Sequence, residues 1–370
     1  MGIDIRNRDI YGREGILNVN GLKIKTPNYL PNQKDINSLS GSPFVKTSNF
    51  PDVEVGTYTH WINLQSIVSI SESLEKYNQT RYYLKSNLKK MEKLNVKRKL
   101  LHFEFSRDVS TLSQSQLYTL FKLQDDVGAD IIEIPNLSAA VNEYKQVLEK
   151  ADKWRRSKGI DKMLMGIAKD SPDIPMLKDE TKIIDCVGAN LKKENPTLLF
   201  AIRNLLKQED IWIHAFSVPR SFRAVKWNGT LSVLLNYYGI DTISAQVGHP
   251  KGARNYMLQL QGMTEDQKIE ESQASRYFNP TDYSTLRSKD IIHDHNLSEF
   301  CNCPVCQKNN IDNIVKNVDT ANANIRSHEV FAYKNESSNY QTAIRKNVSD
   351  EYFNSKKYAK EIESKFRGQS

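Results

Sequence analysis

The chain has 370 residues, 39% of them hydrophobic, with 52 Lys and Arg against 44 Asp and Glu, a formal net charge of +8 and a pI near 9.0. That apolar content can bury the core of one large domain or two ordinary ones, which argues against global disorder and against a short disulfide-stapled scaffold. No apolar run reaches the roughly 18 residues a membrane helix needs, and the first residues are polar rather than signal-like, so we expect a soluble, cytoplasmic protein, or one in a host cytoplasm if phage-encoded.

The N-terminal third opens on a hairpin. Ile16 to Lys25 alternates apolar and polar residues around Asn20-Gly21, the pair favoured in a type I′ turn. Thr26-Pro27-Asn28-Tyr29-Leu30-Pro31 then reads as extended, residues 33–49 as a polar surface loop, and residues 61–95 as helical and Lys-rich without a clear strand.

From Leu100 a short apolar run alternates repeatedly with an amphipathic stretch. Strands are expected over Leu100–Phe105, Asp130–Ile134, Met163–Ala168, Ile183–Val187, Ile211–Phe216 and Ile240–Ala245. Leu117, Leu120, Phe121 and Val127 mark the buried face of the first intervening helix, and Cys186 falls in an apolar run as a core residue. Strands separated by helices imply parallel pairing with right-handed crossovers. About six such units plus the N-terminal strands fit an α/β (β/α)₈ TIM barrel, with a doubly wound open sheet as the competitor. We place the barrel, with its hairpin, at 1–290, a zinc-binding subdomain at 291–335 and a basic helical tail at 336–370.

Cys301-Asn302-Cys303-Pro304-Val305-Cys306 puts three thiols on one turn, and neighbouring free thiols are oxidation-prone unless ligated. Zn²⁺ takes four such donors in a tetrahedron. His328 can supply the fourth, with His293 and His295 as rivals; four protein ligands leave no position for water, so the ion would be structural. The basic excess, clustered at Lys89-Lys90, Lys97-Arg98-Lys99, Arg155-Arg156 and Lys356-Lys357, suits a polyanionic partner.

With the cysteine cluster and distant histidine, the chain resembles the tRNA-guanine transglycosylase family, archaeal members especially. Thr26-Pro27 and Leu30-Pro31 are similar to the family's opening segment, Gln124 with Gly128-Ala129-Asp130-Ile131 to its Gln…Leu-Gly-Ser-Asp-Ile, and Asp185 to Leu191 to its Gly-Gly-Leu loop. Ala215-Phe216-Ser217-Val218-Pro219 is similar to Gly-Val-Gly-x-Pro, and Gly239-Ile240-Asp241 to Gly-Val-Asp. The resemblance implies a TIM barrel with a zinc subdomain that exchanges guanine in DNA or tRNA for a 7-deazaguanine such as preQ0 or preQ1, often as a homodimer or heterodimer.

Base exchange needs a nucleophilic carboxylate and an acid/base carboxylate. Where the family carries its nucleophilic Asp this chain has Ser244, and Glu104 stands closest to the acid/base Asp, with Asp108 and Asp241 as further candidates. Strand alternation aims Asp241 and residue 244 at opposite faces. Asn136, Lys169, Gly188, Ala189 and Asn190 fall where the family reads the base. A DNA-modifying, DpdA-like enzyme is the first expectation; a tRNA enzyme, a catalytically silent accessory subunit and a zinc barrel acting on a small molecule are the others.

Overall fold

A computed structural model describes residues 2–9, 11–92, 95–107, 109–137, 140–192, 195–220, 232–291 and 295–367. Three antiparallel strands begin the chain: β1 (Gly2–Arg8), β2 (Arg13–Val19) and β3 (Leu22–Thr26). The β2–β3 turn is the expected one, with Asn20 and Gly21 both at positive φ, 49° and 82°. Charged β1 escapes a hydrophobic pattern because it is an edge strand, paired only to β2.

Eight strands form one all-parallel sheet in the order β4 (Asn28–Tyr29), β11 (Thr242–Ala245), β10 (Trp212–Val218), β9 (Cys186–Asn190), β8 (Met163–Ala168), β7 (Ile131–Ile134), β6 (Arg98–Phe105) and β5 (Val55–Ile62). The sheet curls until its outer strands approach: Thr57 N donates to Pro31 O at 3.0 Å, and one parallel bridge joins Asn32 to Thr57. A last hairpin, β12 (Arg276–Asn279) with β13 (Ser284–Arg287), is antiparallel. The chain is therefore a mixed α/β protein built on an eight-stranded, curled parallel sheet.

Alternation along these strands sorts the side chains. Leu100, Ile131, Met163, Met165, Ile167, Cys186, Trp212 and Phe216 gather on the inner face with Leu17, Val19 and Ile24 of the N-terminal hairpin, which seals the end where the strands begin. Outer-face residues such as Ile132, Leu164, Val187, Ala189 and Ile243 pack against the helices. Gly188 belongs inside: a Cβ there would meet Ile167 Cδ1 at 2.7 Å and Phe216 Cε1 at 2.8 Å.

Several elements differ from the sequence reading for identifiable reasons. Residues 33–41 are a helix, started by a capping box in which Asn32 and Asp35 bond each other's backbone amides. β5 is a strand where none was expected before residue 61, since Thr57 and Thr59 replace the apolar residues of an ordinary buried strand. β9 starts three residues beyond Ile183 because the amides of Ile183 and Ile184 turn back onto Glu180 O at 2.8 and 3.1 Å and only the Asp185 amide reaches across to Leu164 O. Beyond β11 the chain forms helices Pro250–Gln261 and Glu265–Gln273, which the sequence reading did not single out. Helix Val318–Arg345 runs unbroken through the boundary expected at 335, and the tail helices Ser349–Asn354 and Lys357–Arg367 bury Phe353, Ala359, Ile362 and Phe366 in the main core. No helix among the described residues is long and apolar enough to cross a membrane.

Candidate metal centre and a polar site inside the curled sheet

Cys301, Cys303, Cys306 and His328 come together as buried side chains, their donor atoms all within 4.8 Å of one another. Zn–S bonds near 2.3 Å put tetrahedral donors about 3.7 Å apart, so a small cation fits between them. His328 Nδ1 lies 3.2 Å from Cys306 Sγ and 3.5 Å from Cys303 Sγ, while Nε2 donates to Phe278 O at 2.7 Å. That outer hydrogen bond fixes the tautomer leaving Nδ1 toward the thiols, as metal-binding histidines require. Tyr277 of β12 stacks on the imidazole at 4.2 Å and places its hydroxyl 3.3 Å from Cys306 Sγ. The hairpin before the cysteines, absent from the sequence reading, is thus the wall of the centre. Hydrogen bonds from Cys303 and Cys306 push the Cys301 thiol far down, and the same crowding pushes Cys306 up. A cation held between the three sulfurs would relieve that crowding by taking them as thiolates. His295 instead faces Glu299 at 3.3 Å, and His293 lies outside the described residues.

A second polar cluster lies inside the curled sheet, toward the C-terminal ends of its strands. Glu104 of β6 is buried, with Oε1 accepting from Lys192 Nζ at 2.7 Å and Oε2 from Ser217 Oγ at 3.2 Å. His102, two residues earlier on the same face, sets Nε2 3.4 Å from Glu104 Oε2 and Nδ1 2.7 Å from Glu133 Oε2 on β7. An imidazole between two carboxylates holds both protons: burial alone would lower its pKa, yet Glu133 and Glu104 raise it to about 9. Burial likewise would raise Glu104, but His102 and Lys192 take it down to about 2. Two carboxylates thus face two cations, and the interior is charge-balanced.

Lys192 is aimed by a turn in which Asn190 Oδ1 accepts from Lys192 N at 3.1 Å, and its ammonium sits 4.8 Å from the centre of the Trp61 ring. Ser217 has φ 56°, a left-handed conformation rare for a residue with a side chain and costing on the order of 1–2 kcal/mol, and it spends that strain on a hydroxyl directed at Glu104. Across Phe216, whose ring lies 4.1 Å from His102 and 6.2 Å from His214, Ser244 Oγ is 3.3 Å from His214 Nε2. Burial and the His102 charge hold His214 down to about 3.

The other candidates scatter. Asp241 lies just before β11, at the opposite end of the sheet from Glu104, and both its oxygens are taken by Arg13; Oδ2 also accepts from Ile213 N at 2.7 Å. Asn136 ties strand ends together, donating to Ile167 O at 2.9 Å and Asp173 Oδ2 at 3.1 Å. The Lys169 amide joins the same Asp173 at 2.8 Å while its side chain is exposed. Gly188 faces inward beneath the cluster, Ala189 outward, and Asp108 lies outside the described residues. His102, Glu133, Lys192, His214 and Ser217 went unnoticed as site residues; the available signal was a charged or imidazole side chain recurring inside otherwise apolar strands, where it must find a partner.

These features define a class: a mixed α/β protein with a curled eight-stranded parallel sheet, a buried three-cysteine, one-histidine cluster able to hold a metal, and a charge-balanced polar site inside the sheet. Comparison with protein-family models and with curated proteins finds no match.

Proposed function

We propose that the curled sheet is a closed (β/α)₈ barrel, that the Cys₃His centre holds a structural Zn²⁺, and that the polar mouth performs base exchange on a polynucleotide, guanine leaving and a 7-deazaguanine such as preQ0 entering. The Asn32–Thr57 bridge supports closure, and the soft donor set with no free position supports structural zinc. The observation that carries the activity is Glu104, a carboxylate kept ionised where the strands end, the side of such barrels that holds active sites. An ionised carboxylate suits the role of nucleophile or stabiliser of an oxocarbenium-like centre; a proton donor would need a raised pKa. Lys192 and Ser217 would orient it, and the Trp61 indole N–H, buried without an acceptor among the described residues, offers a donor beside them. DNA is the preferred polymer and tRNA the other, on the strength of the basic surface and the sequence resemblance.

A silent accessory subunit is favoured by one observation: Glu104 is already engaged by three side chains, and Ser244 stands at the family's nucleophile position. The test is incorporation of labelled guanine or preQ0 into duplex DNA and into unmodified tRNA by folded, metal-loaded protein. We expect label in DNA, falling about 10²- to 10⁴-fold in Glu104→Gln. Label in tRNA alone changes the substrate, and label in neither leaves the accessory reading.

A further inference from the structure

Helix Leu74–Glu92, between β5 and β6, buries Tyr77, Leu84, Leu88 and Met91 and turns its other face to water. From Lys76 to Met91 it carries Lys76, Arg81, Lys85, Lys89 and Lys90 and not one carboxylate. A merely solvated helix face intersperses acids with its bases; here Arg81, Lys85 and Lys89 follow one another at i,i+4, the spacing at which like charges repel. An anion lying along them would relieve that repulsion. Little in the fold already does so. Arg81 comes no nearer than 3.8 Å to the Asp126 carboxylate, which is shared with Lys122 and the Tyr77 hydroxyl. Lys85 and Lys89 are exposed and have no ion-pair or hydrogen-bond partner among the described residues.

At 3.6 residues per turn Tyr82 falls on the same stripe as Lys85 and Lys89, within about 10 Å of helix. Its side chain is 78% exposed and touches no other ring among the described residues, whereas Tyr83 leans on His60 with ring centres 6.1 Å apart. A free aromatic face beside unpaired cations fits a partner that is flat and anionic together. We propose that this face binds a single-stranded stretch of nucleic acid, Tyr82 stacking on a base while Arg81, Lys85 and Lys89 follow the phosphates. A single strand is required because the bases of a duplex are stacked on one another and offer Tyr82 no free face. An anionic bilayer fits less well: Leu74 is the one exposed aliphatic side chain of the helix, too little apolar surface to enter a membrane. The surface does not rest on the base-exchange reading.

Fluorescence anisotropy of labelled oligothymidine over a salt series gives affinity and salt slope for the parent, for Tyr82→Ala, and for the protein carrying Arg81→Ala, Lys85→Ala and Lys89→Ala together. These side chains are exposed, so circular dichroism should show the variants folded. We expect Tyr82→Ala to weaken binding about 5- to 150-fold with the slope unchanged, Tyr82→Phe to restore it, and neither to matter on an abasic oligomer. The triple substitution should flatten the slope by about 2, from three phosphate contacts at roughly 0.7 each. Variants that bind like the parent overturn the proposal, as does a parent that binds phosphatidylserine vesicles but not the oligomer, or binds neither. Incorporation of labelled guanine by a protein whose variants bind unchanged sinks this surface and keeps the base-exchange reading. Binding lost in the variants of a protein that incorporates no label does the reverse.

Discussion

Asp241→Ala separates a catalytic carboxylate from a structural one. Arg13 and Asp241 are completely buried, and the Arg13 Nε–Asp241 Oδ1 bond is 2.9 Å. The guanidinium also reaches the carbonyls of Leu206 at 3.2 Å and Glu209 at 2.6 Å, so the pair joins β2 to the segment entering β10 and the start of β11. Removing the carboxylate strands a buried cation, which costs about 3–5 kcal/mol. It also orphans the Ile213 amide, another 1–3 kcal/mol by the usual measure, though the two losses overlap in one network. A net loss of about 4 kcal/mol is a large share of the roughly 5–15 kcal/mol that holds a domain folded. Urea unfolding followed by circular dichroism should show the midpoint falling steeply in Asp241→Ala, and recovering in Arg13→Met with Asp241→Leu, where no charge is left unpaired. That doubly substituted protein should keep whatever activity the parent has. A stable Asp241→Ala protein, or a stable double variant with no activity, would refute the structural assignment and return Asp241 to the chemistry.

Further outcomes follow from the two clusters. His102 should titrate near pH 9 rather than 6.5; its raised folded pKa adds stability that is fully present below about 6.5 and lost as pH rises through about 9, bounded near 3 kcal/mol and checked by unfolding at pH 7 and pH 10. Glu133→Gln should drop that titration by a unit or more, and an unmoved titration would deny the carboxylate pairing. Glu104 runs the other way: its folded pKa near 2 gives stability present above about 4.5 and lost as pH falls through 2, through the same contact with His102 and so not additional to it. Metal analysis should find one Zn²⁺ per chain in the parent protein and none in Cys306→Ser, with a lower melting temperature; parent protein that folds equally well after exhaustive chelation would deny the structural role.

What could be read from the sequence followed physical strength of signal. β6, β7, β8, β10 and β11 stood out because burial on both faces makes a strand a run of apolar residues, and each was placed to within two residues of the expected bounds at most. β5 hid because its inner face carries Thr57 and Thr59, and the helix at 33–41 hid because it is short, polar and held by its capping box more than by periodicity. The cysteine–histidine cluster was legible because three neighbouring thiols with a buried imidazole have few uses other than holding a metal. The polar site was half legible: Glu104 was conspicuous in an apolar strand, while Lys192 is a lysine like many others until the Asn190 turn aims it.

The same logic explains why the metal centre and the sheet are one structure rather than neighbours. His328 is followed on its helix by Glu329, and Arg326 lies two residues before it. Arg220, just beyond β10, bonds both Glu329 at 2.9 Å and Asp35 at 3.2 Å, and Arg326 bonds Asp35 at 2.7 Å. Asp35 is fully buried and also accepts from the Tyr29 hydroxyl of β4 at 2.7 Å. One helix therefore ends the metal cluster and, a turn away, anchors the strand ends around the mouth. Buried ion networks of this kind tolerate little displacement, because each shifted charge loses a partner without regaining water. Were an ion bound at the cluster, its loss would let this helix slip and disturb Arg220 and Asp35 first, so such an ion would fasten this end of the sheet without touching a ligand there.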